Sequence, residues 1–254
     1  MDRNLILEWF RSEPKKYRFS SDPFPVMKQL AIFLCGWIGF KVISFLVQLL
    51  MMALIKYDSS FITNYSYSMG VNTATYLCLI IILLLIANID ITKLLKSFKK
   101  YQSYLAAIAC LLSIYAFYYV YGVFISIIKS PVTNNANEQA LVVLENSFPI
   151  ISFVVFGIVG PICEELTYRV GLFSLLSRKS RKLAYAVTII IFAFIHFNFS
   201  TDVDTLVNEL LNIPYYAFAA FAFSFVYERF GFSASLIAHI LNNVISLMFV
   251  NVIR

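Results

Sequence analysis

The chain has 254 residues, of which 60% are hydrophobic and only 13% are charged, and its formal net charge at pH 7 is +6. A soluble domain carries about twice that charged fraction, so the composition excludes a soluble globular protein. The positive charge does not indicate a nucleic-acid partner, because most basic residues lie beside apolar runs, where they act as topology signals. The four cysteines have no paired spacing such as CxxC, which predicts neither a disulfide framework nor a cysteine metal site.

Apolar runs of about the 20 residues that cross a hydrocarbon core follow one another along the chain. They are near-continuous rather than alternating, which predicts transmembrane helices and not barrel strands. We therefore predict an all-α fold, a polytopic transmembrane helical bundle of about seven spans. The predicted spans are 29–55, 69–89, 103–128, 142–176, 183–200, 213–228 and 232–252. The fourth is too long for one straight crossing, so we expect either a kink at Gly160-Pro161 or a short interfacial helix before the span.

Charges next to these spans predict the orientation of the chain in the membrane. Residues 1–28 form a basic segment, and further basic residues lie between spans two and three, four and five, and six and seven. Loops of the opposite parity hold few basic residues, and the last carries the acids Asp202, Asp204 and Glu209. The positive-inside rule then places the N-terminus of this multi-pass membrane protein in the cytoplasm. Residues 130–140, "SPVTNNANEQA", are predicted to form a polar external loop.

Few ionisable side chains fall inside the predicted spans, and they concentrate in the last four. A charged group at mid-membrane costs at least about 2.5–3.5 kcal/mol, so such residues usually face a cavity and mark function. The intramembrane set is Lys41, Glu164, Glu165, Arg169, His196 and His239. Because all but Lys41 follow residue 141, we predict an N-terminal transmembrane scaffold over 29–141 and a catalytic core over 142–254. Lys41 receives no functional assignment.

Polar groups on three different spans are predicted to lie at one depth. Glu164, His196, His239 and Asn243 are each about ten to fourteen residues from a basic residue of a cytoplasmic loop. At about 1.5 Å per residue, all four lie roughly 15–21 Å above the cytoplasmic side. Unrelated polar positions would rarely coincide in this way, so the sequence predicts a single site.

Spacing within each helix divides the roles of these residues. Glu165 and Arg169 are four residues apart in the acid-before-base order that favours an ion pair along one face, so this pair is predicted to support the helix. Glu164 is rotated by about 100° from that pair and can point into a cavity. His239 and Asn243 are also four residues apart and share a face.

A carboxylate, two imidazoles and a carboxamide in a partly dry cavity are suited to hydrolysis. Glu164 is expected to act as general base on a water that His196 also holds. His239 and Asn243 are expected to donate hydrogen bonds to the oxyanion that develops on an attacked amide carbonyl. Phe192 lies one turn from His196, where it can wall the site and orient the imidazole ring. This chemistry needs neither a side-chain nucleophile nor a cofactor.

Three separated motifs carry these residues, "EELTYR" at 164–169, "FAFIH" at 192–196 and "HILNN" at 239–243. Their order and their placement on late spans resemble the EExxxR, FxxxH and HxxxN motifs of a known family. This is the CAAX prenyl endopeptidase and bacteriocin-processing (CPBP/ABI) family of intramembrane glutamate proteases. Each motif alone is weak, whereas the three together, on polar positions inside apolar spans, are specific. The resemblance covers residues 150 to 250, and the first 140 residues resemble no family beyond a multi-span half.

The resemblance implies an intramembrane endopeptidase with Glu164 as general base, His196 helping to activate water, and His239 and Asn243 as the oxyanion site. Bacterial relatives are linked to maturation of bacteriocins or quorum-sensing peptides, to self-immunity and to regulation of surface proteins. The abundance of Ile, Phe, Tyr, Lys and Asn is typical of an AT-rich bacterial genome, which favours the bacterial plasma membrane as the location. We therefore expect a membrane-associated peptide or protein substrate. The sequence leaves the oligomeric state open.

Two other functions fit the same residues. A zinc-dependent intramembrane protease would use Glu164, His196 and His239 as a two-histidine, one-carboxylate ligand set, but HExxH is absent and nothing independent supports zinc. A non-catalytic membrane scaffold or regulator would bind a peptide or a sensor kinase. A proton-coupled transporter belongs to the same non-enzymatic class, because intramembrane Glu and His also serve proton relays. Paired broken helices in repeated halves, which are typical of transporters, are not apparent in the sequence.

Overall fold

The computed structural model describes residues 24–57, 64–128 and 133–249. Within these ranges the chain is helical and contains no strand, which confirms the all-α prediction. A short helix, Ile91–Leu95, connects the second and third long helices. In chain order the main helices are α1 Val26–Lys56, α2 Asn64–Ala87, α3 Tyr101–Ile128, α4 Ala136–Ser147, α5 Pro149–Ser177, α6 Arg181–Phe194, α7 Val203–Phe230 and α8 Phe232–Phe249.

Five of the described helices, α1, α2, α3, α5 and α7, are long and apolar enough to cross a membrane. Helix α8 is apolar but shorter, and α6 has 14 residues. The polytopic helical bundle is therefore confirmed, whereas the number of seven spans stays a prediction. Residues 1–23 of the predicted basic segment, and the end of the last predicted span beyond residue 249, lie outside the described ranges.

The fourth predicted span consists of two helices. Helix α4 begins at Ala136, where the Asn135 side chain accepts a hydrogen bond from the backbone N–H of Glu138. Helix α5 begins at Pro149, which suits a first helical turn because the N–H that proline lacks has no partner there. The alternative with a short preceding helix is thus confirmed. The prediction that 130–140 is a loop is wrong from Ala136 onward, because Asn135 starts a helix.

Helix α5 passes through Gly160 and Pro161 with π-helical turns on both sides. One wide turn, Val155–Val159, precedes the proline, and a second, Glu165–Phe173, follows it. Pro161 has no N–H to donate to the helical ladder, and wide turns occur where that ladder is interrupted and often at functional sites. The EELTYR motif therefore starts where the helix widens for the second time.

Helix α7 begins well before its predicted span. The Asp202 carboxylate caps this helix by accepting a hydrogen bond from the backbone N–H of Thr205. Asp204 and Glu209, which were predicted in an external loop, therefore lie on a helix, and that prediction is wrong. Polar residues in the first turns concealed the helix because the prediction relied on hydrophobicity. By contrast, α6 ends at Phe194, short of its predicted end, and an irregular segment leads to α7.

Helices α1 and α5 approach closely at two glycines. A Cβ atom at Gly36 would lie 1.8 Å from Thr167 Oγ1, and one at Gly171 would lie 2.9 Å from the backbone nitrogen of Phe33. The later residue of α1 faces the earlier residue of α5, so the two helices are antiparallel. Small residues at such crossings let helix backbones pack against each other. The wide turn that carries the EELTYR motif is thus covered by α1.

Helix α5 lies at the centre of the bundle. Every residue of its second wide turn, Glu165–Phe173, is buried. Leu166, Val170 and Phe173 of this turn join a core cluster that includes Ile32 of α1 and Leu83 of α2. A second cluster packs Ala107 of α3 against Phe223 of α7 and against α8. The N-terminal helices α1 to α3 therefore contact the helices that carry the motifs.

Candidate active site

A cavity of about 1660 Å³ lies within the bundle and is lined by residues of all eight main helices. Glu164, Phe192, His196, His239 and Asn243 all line this cavity. The structure therefore brings the four predicted catalytic residues together in one space. They arrive there from α5, from the segment after α6, and from α8.

The two adjacent glutamates have different surroundings. Glu165 is fully buried, and its Oε1 lies 3.3 Å from Nη1 of Arg169, which confirms the predicted ion pair. The Glu164 side chain is 20% exposed and faces the cavity. One carboxylate is therefore held inside the protein, while the other is accessible to water and to a substrate.

The Arg169 guanidinium is buried among aromatic rings. Its nitrogens have no hydrogen-bond partner among the described residues. Its carbon lies 4.6 Å from the ring centroid of Phe192 and 5.4 Å from that of Phe223, so both rings make cation–π contacts. Because a buried charge without a counter-charge costs several kcal/mol, Glu165 is the partner that makes this burial possible.

His239 lies between the two glutamates. Its Nδ1 is 2.9 Å from Glu165 Oε1, and its Nε2 is 3.7 Å from Glu164 Oε2. A carboxylate only accepts hydrogen bonds, so Nδ1 carries the proton that joins His239 to Glu165. In the neutral ring Nε2 then has no hydrogen. The sequence predicts that His239 donates to an oxyanion, and with Nδ1 bound to Glu165 this donation would come from Nε2 of the doubly protonated ring.

The ring of His196 has a defined tautomer. Its Nδ1 lies 2.8 Å from the backbone carbonyl oxygen of Phe192. A carbonyl oxygen can only accept, so Nδ1 carries the hydrogen and a neutral ring presents the lone pair of Nε2. This nitrogen can accept a hydrogen bond from water. Phe192 also contributes its side chain, whose ring centroid is 5.1 Å from that of His196 and 5.9 Å from that of His239.

The Asn243 carboxamide is oriented by two contacts. Its Nδ2 donates to the backbone carbonyl of Phe156 at 3.1 Å, and its Oδ1 accepts from Asn242 Nδ2 at 3.4 Å. One of the two Nδ2 hydrogens is thereby used, and the other remains available for a hydrogen bond. Asn243 can therefore serve as an oxyanion donor without a change in protonation.

The structure places further residues beside His196 that lie in none of the three motifs. The ring of Tyr216 on α7 stacks on His196, with centroids 4.3 Å apart and planes within 11°. The Tyr216 hydroxyl donates to Glu138 Oε1 at 3.1 Å. Glu138 lies on α4, in the segment predicted as a loop, and burial raises the pKa of its carboxyl above the ordinary value. The signal was the spacing N-x-x-E from Asn135 to Glu138, which is typical of a helix start.

The proposed zinc ligands do not form a compact set. Among residues 24–57, 64–128 and 133–249, no three His, Cys, Asp or Glu side chains converge as a group that holds a metal ion. Glu164 and His239 approach each other, while His196 is turned toward Phe192 and Tyr216. The donor geometry therefore gives the zinc alternative no added support, and chelators remain its test.

The fold is a multi-pass helical bundle, and the three motifs meet at one cavity inside it. Residues 146–245 match the family model of the Type II CAAX prenyl endopeptidase Rce1-like proteins, which confirms the resemblance seen in the motifs. This segment contains all of the predicted site residues. The match supports an intramembrane protease of the CAAX type in general.

The chain is also similar to the UPF0177 protein YvdC of Lactococcus lactis subsp. lactis (strain IL1403). The two are 33% identical over 76 residues, which are 30% of this chain and 28% of that protein. The similarity thus spans less than a third of the length of this relative. No solved structure matches the chain.

Proposed function

We propose that this protein is an intramembrane endopeptidase that hydrolyses a peptide bond of a membrane-associated peptide or protein. The observation that carries the proposal is that Glu164, His196, His239 and Asn243 line one cavity inside an apolar helical bundle. A carboxylate exposed to the cavity and an imidazole with a free Nε2 lone pair are groups that can activate water. The family match over 146–245 supports proteolysis as the reaction class.

In the first step Glu164 removes a proton from a water molecule that His196 Nε2 also orients. The water oxygen forms a bond to the carbonyl carbon of the peptide, and the carbonyl π electrons move to its oxygen. Asn243 Nδ2 donates a hydrogen bond to this oxyanion, and His239 Nε2 does so when the ring is doubly protonated. The hydrogen bond from His239 Nδ1 to Glu165 fixes the ring during this step.

In the second step the tetrahedral intermediate collapses. The oxyanion electrons re-form the carbonyl, the C–N bond breaks, and the proton held by Glu164 is transferred to the leaving nitrogen. The products are a carboxylic acid and an amine, and Glu164 returns to its starting state. Glu165 and Arg169 lie behind the reacting groups and support the helix that presents Glu164.

The location of the cavity inside the bundle supports a membrane-associated substrate. Peptides that reach a site inside the bundle must associate with the membrane, and the bacterial relative favours a bacterial plasma membrane. Maturation of a bacteriocin or quorum-sensing peptide, self-immunity, and regulation of surface proteins are the processes that this activity would serve. The basic segment and loops favour an N-terminus in the cytoplasm.

Cleavage of candidate precursor peptides by the purified protein in liposomes tests this function. We expect cleavage by the wild type, its loss in His239→Ala, and no effect of a chelator. Glu145→Gln is a matched control, because Glu145 lies on α4 outside the cavity lining. Chelator sensitivity that zinc restores would replace the mechanism with a metalloprotease. If nothing is cleaved while His239→Ala still complements a deletion strain, the scaffold alternative replaces the enzyme.

A further inference from the structure

His196 lies beyond the end of its helix. Helix α6 ends at Phe194, and His196 lies in the turn that follows, where its backbone N–H donates to the Ala193 carbonyl at 3.3 Å. Its backbone carbonyl accepts a hydrogen bond from Asn135 Nδ2 at 3.2 Å, and Asn135 is the buried residue that caps α4. The position of this histidine therefore depends on other helices.

A buried carboxylate joins the three segments around His196. Glu209 of α7 is 1% exposed, and its Oε1 accepts from the backbone N–H of Ala136 at 2.8 Å. Its Oε2 accepts from the backbone N–H of Asn198 at 3.0 Å. Glu209 therefore ties the start of α4 and the segment after His196 to α7. These two hydrogen bonds of Glu209 fix the backbone segments on either side of His196 relative to α7.

The imidazole ring of His196 contacts Tyr216 of α7, and Tyr216 in turn contacts α4. Tyr216 covers one face of the imidazole at 4.3 Å, and its hydroxyl donates to Glu138 Oε1 at 3.1 Å; Asn135 Oδ1, at 3.4 Å, is a second possible acceptor of the same hydrogen. This hydrogen bond stops the phenol ring from turning out of the stack. With Nδ1 bound to the Phe192 carbonyl, the rotation of the imidazole is restricted on two sides.

We infer that Tyr216 and Glu138 are positioning residues that hold His196 with its Nε2 directed to the water in the proposed reaction. This inference rests on the proposed function, and it assigns α4 a role in the site that none of the three motifs contains. Tyr216 supplies the stacking surface, and Glu138 fixes Tyr216 through the hydroxyl. Neither residue exchanges a proton with the substrate in this scheme.

Kinetics of cleavage separate positioning from simple packing. Tyr216→Phe keeps the ring and loses the hydroxyl, so we expect kcat to fall about tenfold with KM unchanged. Tyr216→Leu also loses the stacking, and we expect a fall in kcat of up to about a hundredfold. Glu138→Gln keeps an acceptor for the Tyr216 hydroxyl and should retain more activity than Glu138→Ala. Glu145→Gln, on the same helix, is the control and should match the wild type.

Magnetic resonance of the histidines tests the position without any substrate. The chain has only two histidines, so histidine labelling gives signals for His196 and His239 alone, and His196→Gln assigns them. We expect Tyr216→Leu to remove the part of the ring-current shift of His196 that the stacked Tyr216 ring causes, and to leave the signals of His239 in place. Tyr216→Phe should keep this shift.

The cleavage kinetics and the histidine signals distinguish failure of the positioning role from failure of the proposed function. Unchanged His196 signals in Tyr216→Leu, or wild-type kcat in that variant, would overturn the positioning role. A wild-type protein that cleaves no peptide would overturn the proposed function, and the histidine signals would still decide whether Tyr216 stacks on His196. Thermal unfolding of each variant shows whether a loss of kcat reflects loss of the fold.

Discussion

Replacing Arg169 with methionine is expected to destabilise the protein strongly. Arg169 and Glu165 are both fully buried, and they form an ion pair with each other at 3.3 Å. Removing the guanidinium leaves the Glu165 carboxylate in the core with His239 and Ser235 as polar contacts but without its cationic partner. Breaking a buried pair from one side typically costs about 3–5 kcal/mol, because the remaining charge is uncompensated. We expect a loss of that size in the free energy of unfolding of Arg169→Met.

The double variant Glu165→Gln, Arg169→Met separates this charge effect from lost packing. Both charges are then absent, and replacing a buried pair by uncharged groups is often close to neutral. We expect the double variant to recover at least about 2 kcal/mol relative to Arg169→Met. The hydrogen bond to His239 does not depend on the charge, because the amide oxygen that Glu165→Gln introduces still accepts from His239 Nδ1.

The assay is equilibrium unfolding in detergent micelles, followed by tryptophan fluorescence or circular dichroism. Arg181→Met is the matched control, because Arg181 pairs with Glu228 at 2.8 Å where both side chains are about one-fifth exposed. A partly exposed pair contributes about 0–1 kcal/mol, so this variant should be nearly as stable as the wild type. The reasoning is refuted if Arg169→Met costs no more than Arg181→Met, or if the double variant is less stable than Arg169→Met.

Two further predictions concern the contact between α1 and α5 and the connection after α2. Gly36→Ala should lower the free energy of unfolding by about 1–3 kcal/mol, because the added methyl would overlap Thr167; unchanged unfolding in micelles would contradict the close crossing. Hydrogen bonds from Lys28 and Lys93 hold the pKa of the Asp90 carboxyl below its ordinary value of 3.8. The stabilisation by Asp90 is therefore present above pH 3.8 and is lost as the pH falls through the lower pKa of the folded state. Between about pH 5 and pH 2, the Tm of Asp90→Asn should therefore fall less than the Tm of the wild type. Identical acid limbs in the two Tm profiles would contradict it.

The sequence predicted the helical bundle and the division of the two glutamates for a physical reason. Apolar runs of membrane length can satisfy their backbone groups only as helices, and a buried Glu and Arg four residues apart can neutralise each other. Glu165 and Arg169 were therefore recognisable as a pair, and Glu164 as the carboxylate left for the cavity. These features depend on local spacing, which a sequence contains.

The parts that the sequence did not predict depend on contacts between distant segments. Hydrophobicity predicts polar loops at Glu138 and Glu209, because it does not reveal that a carboxylate is buried by partners on other helices. The stacking of Tyr216 on His196 joins residues of different helices at an angle that no periodicity describes. The His239 tautomer likewise follows from its contact with Glu165 across the bundle.

The central claim is that Glu164 activates the water that attacks the peptide bond. The most direct measurement compares the kcat of Glu164→Gln with that of Glu145→Gln on one cleaved precursor, with binding of the peptide measured separately. The exchange of carboxylate for amide keeps the shape of the side chain and removes the base. We expect kcat to fall by about 10²–10⁴-fold in Glu164→Gln, with peptide affinity unchanged and Glu145→Gln equal to the wild type. Cleavage by Glu164→Gln at the wild-type rate would contradict the mechanism.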